Sequence, residues 1–459
     1  MLWSRMTKGA GCSLVVALIA VVAPVLAAPQ QPADAPQDDV LMPKDHAMPD
    51  MADAPDEHAH GMTAASYFEA REASGTAWLP DATPMYGFHR TAGTWELMFH
   101  GNGFVQLLHE AAPEHRGDTQ AGSINWAMAM ARRPLAGGRF GVRTMMSLEP
   151  WTIAGCGYPN LLATGELCDG DDIHDKQHPH DLFMEVAVEF DRPLTSSVRW
   201  QVYGALAGEP ALGPTAFPHR LSAMPNPISP IIHHWVDATH ISFGVMTAGV
   251  YGARWKAEGS VFNGREPDEV RHDFDFGPMD SVSGRVSFLP TEALAVQVSA
   301  GRLHEAELSS AGGPPVDVLR VTSSATYHRG FGGRHMWATT VAWGVNREEG
   351  ETTHGVLVES AATFDERDAW FGRLEVNAKP AHDLHIHESD GVFRVGKIQA
   401  GYTRYLGARR GLQTGVGGFV SAAVVPEALR PRYGGVGVGV GLHLTVRPAQ
   451  HQMASMVEP

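Results

Sequence analysis

Residues 182–203 alternate in character. Leu182, Met184, Val186, Val188 and Phe190 are large and apolar, and Phe183, Glu185, Ala187 and Glu189 fall between them. A strand sends successive side chains to opposite faces, so one face here is oily and the other carries charge. A turn at 191–197 leads into a second run. Val198, Trp200 and Val202 share one of its faces, and Arg199, Gln201 and Tyr203 the other. The pattern predicts a β-hairpin with one apolar and one polar face, two staves of a transmembrane antiparallel β-barrel.

Bulk properties narrow the alternatives. Hydrophobic residues make up 44% of the chain, too few for a bundle of membrane helices. No apolar run approaches the ~18 residues of a membrane helix except near the N-terminus. The formal charge of -16 argues against nucleic acid as a partner. At the N-terminus Arg5 and Lys8 precede an apolar run at 14–26 and a small-residue site at 25–27. This predicts a signal peptide over 1–27; the run is short for the alternative, an uncleaved anchor. Cys12 would leave with it. Cys156 and Cys168 are expected to form a disulfide in an oxidising compartment, worth on the order of 3 kcal/mol. Two free thiols binding a soft metal are the alternative.

Residues 28–66 form a low-complexity leader rich in Pro, Ala and Asp, which cannot bury a core and is expected to be disordered. It carries Met42, His46, Met48, Met51, His58, His60 and Met62. Thioethers suit Cu(I), and imidazoles suit Cu(II) and similar ions. The leader therefore reads as a metal-capturing segment or as a solvated tether. Residues 67–92 are more aromatic and less charged, and form a lead-in that could plug the lumen.

From 93 to 447 about sixteen strand-like runs recur with turn signals between them, which sets the barrel domain. The gaps alternate along most of the chain. Short ones fall at 133–137, 192–197, 290–292, 330–334, 366–369 and 407–411. Long ones fall at 151–180, 208–239, 264–280, 304–316, 380–392 and 424–434. Bacterial outer-membrane barrels have short periplasmic turns and longer outer loops, and an even strand number leaves both termini in the periplasm. A soluble β-sandwich has similar single strands, but this turn–loop alternation favours the barrel. The last apolar run ends on Val446 rather than on an aromatic residue, and 448–459 reads as a polar tail. The partners expected of such a chain are outer-membrane lipid and the barrel-assembly machinery.

Histidines in the long gaps are the candidate chemistry. Pro179 biases His178 towards an extended conformation, so His178 and His180 point the same way and could share a metal, completed by His174 or a carboxylate. A second gap runs Phe217-Pro-His219-Arg220, then His233-His234-Trp235, Asp237 and His240. If this stretch is extended, His233 and His234 face opposite ways and at most one joins a common site. His385 and His387 repeat the two-apart spacing. All three groups are expected at the outer rim. The alternative is that these histidines only structure the loops. Glu185, Glu189, Arg199, Arg254, Lys256 and Glu258 lie on polar faces and are expected to line the lumen. No G-x-S-x-G or H-E-x-x-H motif is present, and no enzymatic activity is expected.

The segments 74–84, 95–101 and 174–183, with Phe217-Pro-His-Arg220, resemble an uncharacterised family of bacterial outer-membrane β-barrel proteins. That resemblance implies a barrel and an envelope location, and brings no catalytic residues. More loosely, the Met/His-rich leader before a barrel is similar to the copper-resistance outer-membrane protein B family. The reading that follows is an outer-membrane barrel that binds or exports a copper-like transition metal, working with periplasmic metal-handling proteins. The alternative is a general or substrate-selective porin with no metal role.

Overall fold

In the computed structural model, residues 68–113, 116–154, 157–165, 178–307, 314–386, 388–389 and 391–450 are described. Among these described residues, seventeen strands form one antiparallel sheet. In chain order they are β1 (Phe88–Ala92), β2 (Trp95–Ala111), β3 (Asp118–Leu135), β4 (Gly138–Met146), β5 (Phe183–Pro193), β6 (Arg199–Gly208), β7 (Ser242–Tyr251), β8 (Trp255–Phe262), β9 (Ser281–Thr291), β10 (Leu294–Glu307), β11 (Val316–Gly330), β12 (Met336–Glu348), β13 (Glu351–Phe364), β14 (Asp368–Pro380), β15 (Val392–Tyr405), β16 (Leu412–Val424) and β17 (Val436–Pro448).

Each strand from β2 onward pairs with its successor, and β17 returns to β2 with Val438 opposite Ala111 and Val446 opposite Gly103. That last ladder closes a barrel of β2 to β17. β1 is additional: it pairs with β2 over Trp95–Phe99, along the stretch that β17 leaves uncovered. Closure gives every wall strand two neighbours, as a strand crossing lipid requires.

Burial is inverted relative to a soluble protein. On β17, Val436, Val438, Val440, Leu442 and Leu444 are exposed, while His443, Thr445 and Arg447 are buried. The same holds around the wall: Val105, Leu107, Val188, Met246, Val286, Val298, Trp370 and Val420 face outward, and Gln106, Arg143, Lys256, Arg285, Glu359, Arg373 and Lys397 face inward. An exposed Val or Leu forgoes about 1.5–3 kcal/mol of burial in water. A continuous belt of them is stable only against hydrocarbon, so the barrel is a transmembrane one.

The connections define two ends. Tight turns join β3 to β4, β5 to β6, β7 to β8, β9 to β10, β11 to β12, β13 to β14 and β15 to β16; this is the turn end, where β2 begins and β17 finishes. Longer connections occupy the opposite, loop end. One link there departs from the expected alternation. β12 and β13 are joined only by Glu349 and Gly350, with φ of 46° and 90°. Two positive φ values in a two-residue loop match the twist of a hairpin, and Gly350 supplies one without strain.

The opening hairpin forms as β5 and β6, with one slip. The register shifts between Met145 and Met146, which pair with Glu185 and Phe183. This bulge leaves Met184 unpaired and turns it inward, 2% exposed, beside Met145 and Met128. Period-two alternation does not survive a bulge, so Met184 leaves the outer face that the sequence pattern assigns it.

The lumen is filled from both ends. Residues 209–241 fold inward, and Leu212, Arg220, Ile232, Trp235 and Val236 are at most 1% exposed. The segment 68–86 lies inside as well. There Glu72 pairs with Arg132, Gly75 accepts from Arg143 at 2.6 Å, and Thr76 accepts from Lys256 and Arg285.

Candidate functional site

The inward loop is held by buried charge. The Arg220 guanidinium donates to Asp237 and to Glu359 of β13, each at 2.6 Å, and Arg373 of β14 meets the other Glu359 oxygen at 3.2 Å. All four side chains are at most 1% exposed. Burying such charges is tolerable only when each finds a partner, and here loop and wall supply one another. Trp235 donates to Thr353 at 2.9 Å, and the His234 carbonyl accepts from Asn346 at 3.2 Å. The loop approaches the wall this closely because position 344 is glycine: a Cβ there would stand 2.0 Å from the Trp235 carbonyl oxygen.

The loop brings four imidazoles together. His178 and His180 have ring centroids 4.6 Å apart, His180 and His240 5.3 Å, His240 and His233 4.9 Å, and His233 and His178 5.5 Å. Phe217 packs against all four at 5.6–6.1 Å. His178 and His180 lie side by side, as their two-apart spacing predicts, and His233 joins them. His178, His180 and His233 are 1%, 2% and 4% exposed, so the cluster lies buried beneath the loop end and not on its rim.

The sites differ from expectation elsewhere for local backbone reasons. His233 and His234 occupy a helical turn, His233–Val236, rather than an extended segment. His233 therefore faces the imidazole cluster while His234 faces Glu307 at 3.1 Å and Glu266 at 3.4 Å. His385 has φ of 47°, after a 3-10 turn over His382–Leu384, so the two-apart argument fails for it. Its loop packs through Leu384 and Ile386 against Leu161, Ile232 and Trp235 instead. His174, His387, Cys156, Cys168 and the leader residues Met42, His46, Met48, Met51, His58, His60 and Met62 lie outside the described residues.

Second partners fix the imidazoles. His180 Nδ1 is 2.9 Å from Glu149, His233 Nδ1 is 2.7 Å from Asp237, and His240 Nδ1 is 2.9 Å from the Asp237 carbonyl oxygen. Those acceptors require the proton on Nδ1, which leaves Nε2 with its lone pair. Burial holds the rings neutral: His180 and His240 are pushed below the ordinary imidazole range, and His233 sits at about 4 despite Asp237. The Nε2 atoms of His180 and His240 are buried without a hydrogen-bond partner. Metal-binding histidines are oriented in the same way, by an acceptor on the far nitrogen. His234 is the contrary case. Burial opposes its charged form, but Glu266 and Glu307 outweigh this and raise it to about 9.

Glu149 is invisible to spacing arguments, since it reaches His180 from a short helix, Glu149–Thr152, 31 residues back in the same β4–β5 connection. Among the described residues, two sets of three side chains hold their ligand-type atoms within 4.8 Å of one another: His234, Glu266 and Glu307, and Asp268, Asp273 and Asp275. The sequence gives no sign of either, because each depends on how the loops meet or turn.

The lumen charges are paired. Glu185 accepts from Arg143 and Tyr203 at 2.6 Å each, Glu189 meets Arg132 at 2.5 Å, and Arg199 meets Asp191. Glu258 accepts from Arg285 at 2.9 Å and lies 3.6 Å from Lys256, whose ammonium sits 4.7 Å from the Trp78 ring centroid. Arg254 does not belong to this set. It lies in the exposed turn before β8, which starts only at Trp255, and donates to the Pro290 carbonyl.

A cavity remains between the lead-in segment, the β2–β3 wall and the underside of the inward loop. Met98, His100, Met128, Met130, His219 and Met224 are among its lining residues.

No family model matches the chain, and no curated protein matches it. Among solved structures, an anion-selective porin from Comamonas acidovorans is similar over 77% of this chain and 99% of its own, at 11% identity and a TM-score of 0.47. Salmonella typhi OmpF, in complex with daunomycin, is similar over 78% of this chain and 100% of its own, at 11% identity and a TM-score of 0.48. Pseudomonas putida OprB at high pH is similar over 77% and 94%, at 8% identity and a TM-score of 0.44.

Proposed function

We propose that this protein is an outer-membrane channel for small hydrophilic solutes, with loop 209–241 as its constriction and 68–86 as a second barrier. The carrying observation is a polar, ion-paired lumen crossed by an inward-folded loop. Charged interiors suit aqueous passage, and a loop tied to the wall by side-chain pairs narrows it. On this reading the turn end faces the periplasm. Swelling of proteoliposomes in sugars and amino acids of graded size tests it. Protein lacking residues 214–236 should admit solutes that the full chain excludes or passes slowly. Equal impermeability of both, with the shortened protein folded, would contradict it.

A second reading is favoured by one observation, the tethered His180 and His240 with buried, unpartnered Nε2 atoms. In it the ring of His178, His180, His233 and His240 holds a transition-metal ion of the copper or zinc type, and Glu149 and Asp237 orient the ligands. The leader would then collect ions for it, with periplasmic metal-handling proteins as partners. Metal content of protein purified from its native membrane, compared with a His180→Gln/His240→Gln variant, checks this. Equal content in both would rule it out.

A further inference from the structure

The cavity beside β2 and β3 is built from unusual materials. Met128 and Met130 are two apart on β3 and so share its inner face, and Met98 and His100 do the same on β2. The inward loop brings His219 and Met224 over them. His219 lies 3.4 Å from the Met145 sulfur through its Nε2, and its ring centroid is 4.6 Å from that of Trp126 and 5.8 Å from that of His100. His100 Nε2 is buried without a hydrogen-bond partner. Methionines often fill irregular cores, but here their side chains border a cavity instead of closing it.

We propose that this cavity binds a soft monovalent metal ion, Cu(I) or its analogue Ag(I), through the thioethers of Met98, Met128 and Met130 and the imidazoles of His100 and His219. Thioether sulfur selects soft ions, whereas hard divalent ions take carboxylate and carbonyl oxygen. The five ligands are uncharged when the imidazoles are neutral. A low-charge ion costs least to desolvate in such surroundings. Flexible methionine side chains can close on an ion without movement of the barrel wall. Met224 is excluded from the set because its sulfur already lies 2.8 Å from the Arg447 guanidinium. The site is separate from the buried imidazole ring, and the proposal does not depend on whether the barrel conducts.

The test is a titration of detergent-purified, full-length protein with Cu(I) under reducing conditions, in competition with a chromophoric chelator. The leader is present in every sample and so cancels from the comparison. Met128→Leu/Met130→Leu conserves volume and should lose one tightly bound equivalent, and His219→Gln should weaken that equivalent at least tenfold, whereas Zn(II) binding should not respond to the methionine changes. Unchanged Cu(I) stoichiometry and affinity in folded variants would overturn the proposal. Peroxide oxidation of the unaltered protein, mapped by peptide mass, supplies a second measurement independent of variant folding. Redox-inert Ag(I) should protect Met128 and Met130, and no protection would equally overturn the site.

Discussion

Arg220 is wholly buried, and its guanidinium lies 2.6 Å from both Asp237 and Glu359. Replacing it by alanine leaves two carboxylates without their shared cation, and breaking a buried pair from one side costs about 3–5 kcal/mol. Arg220→Ala should therefore unfold at markedly lower urea concentration than the unaltered protein. Glu209 makes a prediction of opposite sign. Burial raises its carboxyl to about 8, against the pull of Arg285. The folded state then keeps a proton that the unfolded chain has released above about 4.5, so stability falls as pH rises from there through about 8. Glu209→Gln should remove that slope and raise the melting temperature at pH 8 while changing it little at pH 4; parallel melting curves at the two pH values decide it. At this scale the sequence was partly legible. His178 and His180 were found because Pro179 and period two govern an extended pair. Glu149, Glu266 and Glu307 were not: Glu149 meets His180 from the far end of one long connection, and Glu266 and Glu307 meet His234 from other elements.

Among the elements, the strands followed from alternation because lipid outside and charge inside impose it on every turn of the wall. Departures had local causes. The bulge before Met184 reverses one side chain, and a helical turn replaces the extended chain at His233. Strand patterning carries no information about whether a long loop folds inward, so the filling of the lumen by 209–241 was not legible. Gly344 tests that packing. A side chain there would collide with the Trp235 carbonyl, so Gly344→Val should displace the helical turn without removing a wall strand. Limited trypsin digestion should then cut after Arg220, where the unaltered protein resists; equal resistance would show that the loop is held elsewhere.

For the whole molecule, the inverted burial is the feature that assigns lipid as the solvent of the outer face. Leu442 is 61% exposed on β17, next to the buried His443. Leu442→Arg should cost about 2–4 kcal/mol if it lies near the bilayer midplane, measured by urea unfolding in lipid vesicles, and far less in a soluble setting. The proposed channel stands or falls on whether the inward loop constricts the lumen. Planar-bilayer conductance tests it most directly, comparing the full chain with Arg220→Ala at equal protein loading. The unaltered protein should show a small conductance, and one several-fold larger once Arg220 no longer fastens the loop. A large steady conductance from the unaltered protein, or none from either, would contradict it.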